Sequence, residues 1–463
     1  MTILRENVGD VGLSMFIYRD GEKLTTSSGE SDLREYIKTV EIYESITSST
    51  IEASIVIEDS GGLIGSLTGS ELIKLNVIGT IIDRTFFLRS YEISSRSRTN
   101  QTSDVYILNL ASDEFMKNEV VNIFGNSNVV FKDAGTETSQ IIKKIIRDKK
   151  YLNSGKKLFL EETLNQHSFV APNWRPFDTI YWLCHRSIRK AQKSGSYQNG
   201  FAFYENALGY HFQSIDKMIE NINSQTNDPT KITSDGSSSK AEPRLYSYSQ
   251  TPKNTGDGTQ DQFTISKIVF PQEKNFLMGL RHGTWSGYSI GFDPVTISQS
   301  KMGLSTDMSV DAYRYSLNET WSKMSHLKGG SNANPIQQMD KTVQNLVNYP
   351  KRVRYTILPN QVFDPKYQNQ PQKNYEELVE LQAYQWMRME ALKSIKLQVE
   401  VPGNLDLYAG SGIDIVIAGT FKSADKVPID ERYSGRYLIA SLTHKILGSN
   451  MVTELLLMKD STI

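Results

Sequence analysis

The 463-residue sequence has a single cysteine, Cys184, which excludes an intrachain disulfide and fits folding in a reducing compartment. Its opening residues, Met1-Thr-Ile-Leu-Arg-Glu-Asn-Val8, lack the basic stretch and apolar run of a secretory leader. No run of about 18 apolar residues occurs, so no membrane span is expected. Charge of one sign is also missing. With 51 Lys and Arg against 52 Asp and Glu, the net charge of −1 argues against a chain built as a whole to grip nucleic acid or an anionic bilayer. The six histidines (167, 185, 211, 282, 326 and 444) form no H-x-H or H-E-x-x-H pattern and have no second cysteine, so a compact zinc site is not expected. Phosphate-binding glycine loops, G-x-S-x-G elbows and dinucleotide fingerprints are absent as well. No catalytic residue, cofactor or metal is expected.

What is present is β-forming sequence. Eighteen Phe, 23 Tyr and many aliphatic residues exclude global disorder. Val40–Glu44, Ile51–Glu58, Glu71–Ile78, Phe86–Ser94 and Asp104–Ala111 alternate apolar and polar residues between short turns, with a polar connection at Ser95–Ser103. Then the period changes. Ile141, Ile142, Ile145 and Ile146 make the apolar stripe of a helix over Glu137–Lys150, with Thr136 and Ser139 as capping candidates. A second helix is expected from Pro176, and Cys184 falls on its apolar face as a core thiol. Gly200–Tyr204 and Gly209–Phe212 read as a strand pair. Residues 223–262 read as a polar linker. Phe263–Phe270 and Asn275–Leu280 read as strands, and 284–372 as a β-rich insertion. A helix over Tyr375–Ser394 is expected to pack on strands at Lys396–Val401, Gly412–Ala418, Arg436–Ile446 and Met451–Met458.

Several local patterns have plain explanations. Asn254–Asp261 has calcium-loop flavour without the terminal bidentate Glu. Glu161-Glu162 and Glu376-Glu377 are adjacent rather than opposed, and read as solvated faces. The basic runs around Lys143–Lys150 and Arg186–Lys193 read as polar helix faces. Trp285, Tyr288, Tyr313, Tyr315 and Trp321 read as core or interface aromatics.

The last strands echo the first. Gly69-Ser-Glu-Leu-Ile-Lys-Leu-Asn-Val-Ile-Gly79 parallels Gly410-Ser-Gly-Ile-Asp-Ile-Val-Ile-Ala-Gly419, and Val105-Tyr-Ile-Leu-Asn-Leu-Ala-Ser-Asp113 parallels Val452-Thr-Glu-Leu-Leu-Leu-Met-Lys-Asp460. The fold class expected is α+β, predominantly β. Two similar antiparallel β-barrel domains (1–111; 242–283 with 373–463) would flank an α+β domain (112–241) and a small β-rich insertion (284–372).

Tyr375–Gln385 with Ile395–Ile417 resembles the helix, strand, Gly-Asn turn and strand of the baseplate hub proteins of contractile-tailed bacteriophages. Trp174–Leu183, Gln262–Phe270 and Gly283–Thr296 also resemble hub segments. The resemblance implies a structural virion protein, not an enzyme. It implies a homotrimer whose six tube-like barrels adapt a central spike protein to a hexameric tail tube or tube-initiator ring, within surrounding baseplate wedge proteins. Assembly in the host cytoplasm and location in the tail baseplate follow. Genomic DNA would pass the lumen without specific binding, along a neutral or acidic lining. Gly61, Gly62, Leu63, Ile64, Tyr375, Tyr384, Trp386, Leu405 and Tyr408 are the expected subunit or tube interface. A tail-associated peptidoglycan hydrolase and a receptor- or carbohydrate-binding tail protein stand as alternatives.

Overall fold

The computed structural model describes residues 8–26, 29–125, 135–191, 198–227, 244–250, 261–271, 276–293, 298–299, 314–328, 334–347, 352–357, 366, 369–419 and 428–460. The first β unit comprises β1 (Gly12–Arg19), β2 (Glu22–Lys23), β3 (Ile37–Ser45), β4 (Glu52–Asp59), β5 (Leu72–Ile78), β6 (Asp83–Asn100) and β7 (Ser103–Ala111). Alternation sends Ile42, Ile55, Leu75, Leu88 and Leu108 into one core and leaves Glu41, Glu52 and Glu92 on the other face. The polar stretch expected as a connection is instead the far half of β6. Bulges after Ser90 and Ser94 let it stay in register with β7, and Asn100 Oδ1 accepts the Thr102 N–H (2.9 Å) in a tight turn.

The α+β region follows. It holds helices Asp113–Val120, Thr138–Arg147, Pro176–Cys184 and Ile215–Asn223. Its short strands are β8 (Ile123–Gly125), β9 (Thr136–Glu137), β10 (Leu158–Leu160), β11 (Gln166–His167) and β12 (Ala171–Trp174), with the pair β13 (Phe201–Asn206) and β14 (Gly209–Ser214). The four isoleucines of the second helix and Cys184 meet Phe177, Phe203 and Phe212 in one core. Thr136 and Ser139 do not cap that helix: the Ser139 N–H donates to Thr163 Oγ1 (3.0 Å) from a neighbouring loop.

Of the expected linker, 228–243 and 251–260 lie outside the described residues, the calcium-like loop among them. Between them β15 (Tyr246–Ser249) is a core strand whose tyrosines are buried. β16 (Lys267–Val269) follows. Phe276–His282 is a helix rather than a strand. The run has no β-branched residue, and the Trp285 ring lies where a side chain on Gly279 would project. The insertion carries a four-stranded sheet of β17 (Ser286–Asp293), β18 (Ser298–Gln299), β19 (Arg314–Ser316) and β20 (Val353–Ile357), but also helices Leu317–Trp321 and Lys341–Val347, so it is mixed rather than β-only.

Helix Pro371–Leu392 buries Tyr384, Met387 and Ala391 against Tyr315, Leu317 and Ile336 of the insertion. Its main packing is therefore with the insertion rather than with the strands that follow it. Those are β21 (Ile395–Pro402), β22 (Gly412–Val416), β23 (Gly435–Leu447) and β24 (Asn450–Lys459), which close over Leu397, Val399, Ile415, Ile439 and Leu455.

The protein is predominantly β with an α+β middle. The order β3-β4-β7-β6-β5 in the first unit recurs as β16-β21-β24-β23-β22 in the second, antiparallel throughout. Ile55 faces Leu108 as Val399 faces Leu455, the register in which the sequence repeat aligns Val105–Asp113 with Val452–Asp460. Among the described residues neither of the two expected barrels is closed. Among the described residues both units belong to one open 13-stranded sheet, because β3 pairs with β23.

Candidate assembly interface

The β3–β23 seam runs antiparallel from Thr39 opposite Leu447 to Ser45 opposite Ser441. Behind it sits Glu44, turned inward by the alternation that buries Val40 and Ile42. Its Oε1 accepts the Ala207 N–H (2.8 Å) and its Oε2 the Ala409 N–H (3.1 Å). One carboxylate thus joins the first β unit, the α+β region and the second β unit. Burial pushes its pKa up to about 7, against the two N–H donors.

The loop after β21 docks at the same seam. Leu405 enters the first unit's core, with Gly79 beneath it: a Cβ on Gly79 would lie 2.9 Å from Leu405 Cδ1 and 2.6 Å from Ile82 O, so only glycine admits the leucine. Arg84 Nε donates to Leu405 O (2.7 Å), and its guanidinium reaches Asp406 (3.4 Å).

The expected interface residues fall into three groups. Leu405 and its neighbour Tyr408 lie in the docked loop, and Leu405 contacts the chain's own first unit. In the loop after β4, the Asp59 carboxylate accepts the N–H groups of Gly61 (3.0 Å), Leu63 (3.1 Å) and Ile64 (2.7 Å). Gly62 takes a left-handed φ of 71° there; Leu63 is buried, whereas Ile64 is only partly so. Tyr384 and Trp386 belong to the helix against the insertion: Tyr384 is buried, and the Arg354 guanidinium stacks over Trp386. Tyr375 lies in the same helix, and its side chain is outside the described ones. The structure brings Leu405 and Tyr408 to the seam, and does not bring the Tyr384 group there.

A buried ionic network, silent in the sequence, fastens the other elements. Arg388 is fully buried between Asp216 and Asp460, both also fully buried. Its Nη1 donates to Asp460 Oδ2 (3.3 Å) and its Nη2 to Ser325 O (2.7 Å), while Asp216 accepts the Ser325 N–H (2.7 Å) and the Tyr384 O–H (2.8 Å). His326 lies 2.8 Å from Asp460 Oδ2 through Nδ1 and 2.9 Å from Trp321 O through Nε2, with its ring stacked on Trp321. Burial opposes ionisation of Asp460, but the His326 hydrogen bond and the Arg388 charge hold its carboxyl below the usual range. Alongside, Arg189 donates to Glu161 (2.6 Å) and Glu220 (2.8 Å). Glu161 and Arg189 are therefore a core pair, not the solvated faces expected for them. Glu162 does stand in solvent with Lys190, and the Glu376 and Glu377 side chains lie outside the described ones. The only sequence signal for any buried carboxylate was charge at inward register, as at Glu44. Among the described residues no three His, Cys, Asp or Glu side chains gather to hold a metal, and no helix is long and apolar enough to cross a membrane.

No protein-family profile matches the chain, and no curated protein is similar to it in sequence. The tail protein from Neisseria meningitidis MC58 matches in structure with a TM-score of 0.50 at 10% identity, over 97% of each chain. This is a tail-protein fold. The 43 kDa tail protein of prophage MuSo2 from Shewanella oneidensis is similar at a TM-score of 0.46 and 8% identity, over 96% of this chain and 98% of that one. A Francisella PdpA–VgrG complex chain is similar at 0.45 and 10%, over 98% of this chain and 53% of that one. The similarity to the Neisseria meningitidis tail protein takes in both β units and the middle.

Proposed function

We propose that the chain is the central hub of a phage baseplate, a structural homotrimer located in the virion tail. The observation that carries this reading is the duplicated β unit with its edge-to-edge seam. Three copies supply six similar units, the number a trimeric spike needs to meet a hexameric tube. The tail-protein fold at full length supports it. So does the charge of the sheet's solvent face, where Glu41, Glu52, Glu58, Glu92, Glu400 and Glu454 stand close to balance with Lys38, Lys74, Arg89, Lys267, Lys396 and Lys445. Turned toward a lumen, such a face lets polyphosphate pass without holding it. The insertion and the α+β region then face the surrounding baseplate. Native mass measurement of the purified chain, with and without its spike partner, is expected to give three copies, and electron microscopy of assembled tails to place the protein on the axis. A monomer under both conditions, or a peripheral position, overturns the reading.

A further inference from the structure

Three consecutive apolar residues stand in solvent on one short helix. In Phe276–His282, Phe276, Leu277 and Met278 are 36%, 55% and 40% exposed. The helix is nevertheless fixed in place. The Trp285 ring lies against Gly279 and packs on Phe276 with centroids 5.1 Å apart, and the Thr284 N–H donates to Gly279 O (3.0 Å). Leu280 packs on the core that Tyr384 and Met387 share with the insertion. An anchored helix with its apolar start turned outward marks a surface that another molecule covers.

Beside it opens a cavity of about 590 Å³, within the range of about 300–1,000 Å³ usual for binding pockets. Phe276, Met278, Trp285, Pro335 and Met339 supply its apolar lining. Its charged lining is His282, Glu390, Lys393 and Lys396, the last three spanning the end of helix Pro371–Leu392 and the start of β21. Glu390 is engaged within the wall: it accepts the Thr284 hydroxyl (3.4 Å) and lies 3.8 Å from Lys393 Nζ. Asp340, next to Met339, is turned to its own loop and accepts the Thr342 N–H (2.9 Å). Two lysines and a histidine thus stand against one carboxylate in the lining, with Arg281 exposed on the same helix.

We propose that this groove docks an acidic amphipathic helix of another protein. The apolar surface runs on from the cavity to Leu277, so the occupant is a chain segment whose apolar residues recur at helical spacing. Met278 and Met339 give the floor the unbranched, adaptable side chains that suit such a guest. Its anchors fill the cavity and cover Leu277, and its carboxylates meet the cations of the rim, which fix its orientation. None of the groove residues belongs to the β3–β23 seam, so the docking stands apart from the hub reading.

A displayed library of random 16-residue peptides, selected on the immobilised full-length chain, tests this. Enriched peptides are expected to be acidic, with Leu, Phe or Trp at i, i+3 or i+4, and i+7. In fluorescence anisotropy they should bind L277E/M278E at least tenfold more weakly than the parent, K393E at least threefold more weakly, and all less tightly as salt rises. Both helix positions are already exposed, and an unchanged melting temperature checks that the double variant is folded. No enrichment, enriched peptides that are basic or without the spacing, or full binding to folded L277E/M278E overturns the proposal. A labelled copy of the chain that binds the immobilised parent but not L277E/M278E makes the occupant a second copy, and also overturns it. Native mass separates the two readings: a chain that selects acidic helices yet stays monomeric with its spike keeps the groove and loses the hub, and a trimer that selects none does the reverse.

Discussion

Replacing Arg388 by methionine removes one cation from between two buried carboxylates. Asp216 keeps the Tyr384 O–H and the Ser325 N–H, and Asp460 keeps His326, so neither is stripped of partners. Both nevertheless lose the charge that offsets their burial, and Ser325 O loses its donor. Breaking a buried pair from one side costs about 3–5 kcal/mol, and the remaining hydrogen bonds place this case near about 4 kcal/mol. If the 463 residues unfold together, the entropy of unfolding is about 1 kcal/mol/K, and the melting temperature falls by about 4 °C. If the insertion unfolds apart from the sheet, its own transition falls further and separates in the calorimeter. The triple variant R388M/D216N/D460N removes all three formal charges and is expected to regain most of the loss. Scanning calorimetry of the three proteins at one pH decides the matter. A single variant that melts like the parent, or a triple variant less stable than the single one, refutes the account of Arg388 as the charge that holds these segments.

Two further outcomes follow from the seam. Leu405→Ala empties a buried site whose floor is Gly79, and is expected to cost about 3 kcal/mol by urea titration; an unchanged midpoint would refute the docking of Leu405 in the first unit's core. Glu44 is held protonated up to about pH 7 by burial, so the folded chain binds a proton more tightly than the unfolded one between about pH 4.5 and 7. Stability from this group is therefore fully present below 4.5, falls by about 3 kcal/mol as pH rises to 7, and then levels off. Glu44→Gln should flatten that segment of the stability profile, and an unchanged slope would assign it elsewhere.

The strands of both β units were legible because each buries one face, which writes itself as alternation: Val40-x-Ile42, Ile55-x-Ile57, Leu397-x-Val399. The repeat was legible for the same reason, down to the register of Val105 with Val452. β15 was hidden because Tyr-Ser-Tyr-Ser is only one inward pair long, set among polar residues. The far half of β6 was hidden because its side chains face solvent, and Ser, Arg and Asn there look like a loop. Helix Phe276–His282 was mistaken for a strand because a short apolar run has no decisive period. The seam itself lies beyond any local pattern. Its partners are nearly the length of the chain apart, and neither strand announces a second neighbour. Asp216, Arg388 and Asp460 were missed as a group because each is ordinary alone and acquires meaning only when three distant segments converge.

That separation also sets a timetable. Ser45 and Ala440 are 395 residues apart yet lie in hydrogen-bonding contact. At about 5–20 residues per second of synthesis, β3 waits roughly 20–80 s after leaving the ribosome before β23 exists to cover it. Through that interval the nascent first unit carries an uncovered strand edge, an invitation to chaperones and to other nascent chains alike. A chain truncated before β23 never covers that edge. The first unit is thus finished only in a chain synthesised through β23, whatever the state of the segments between.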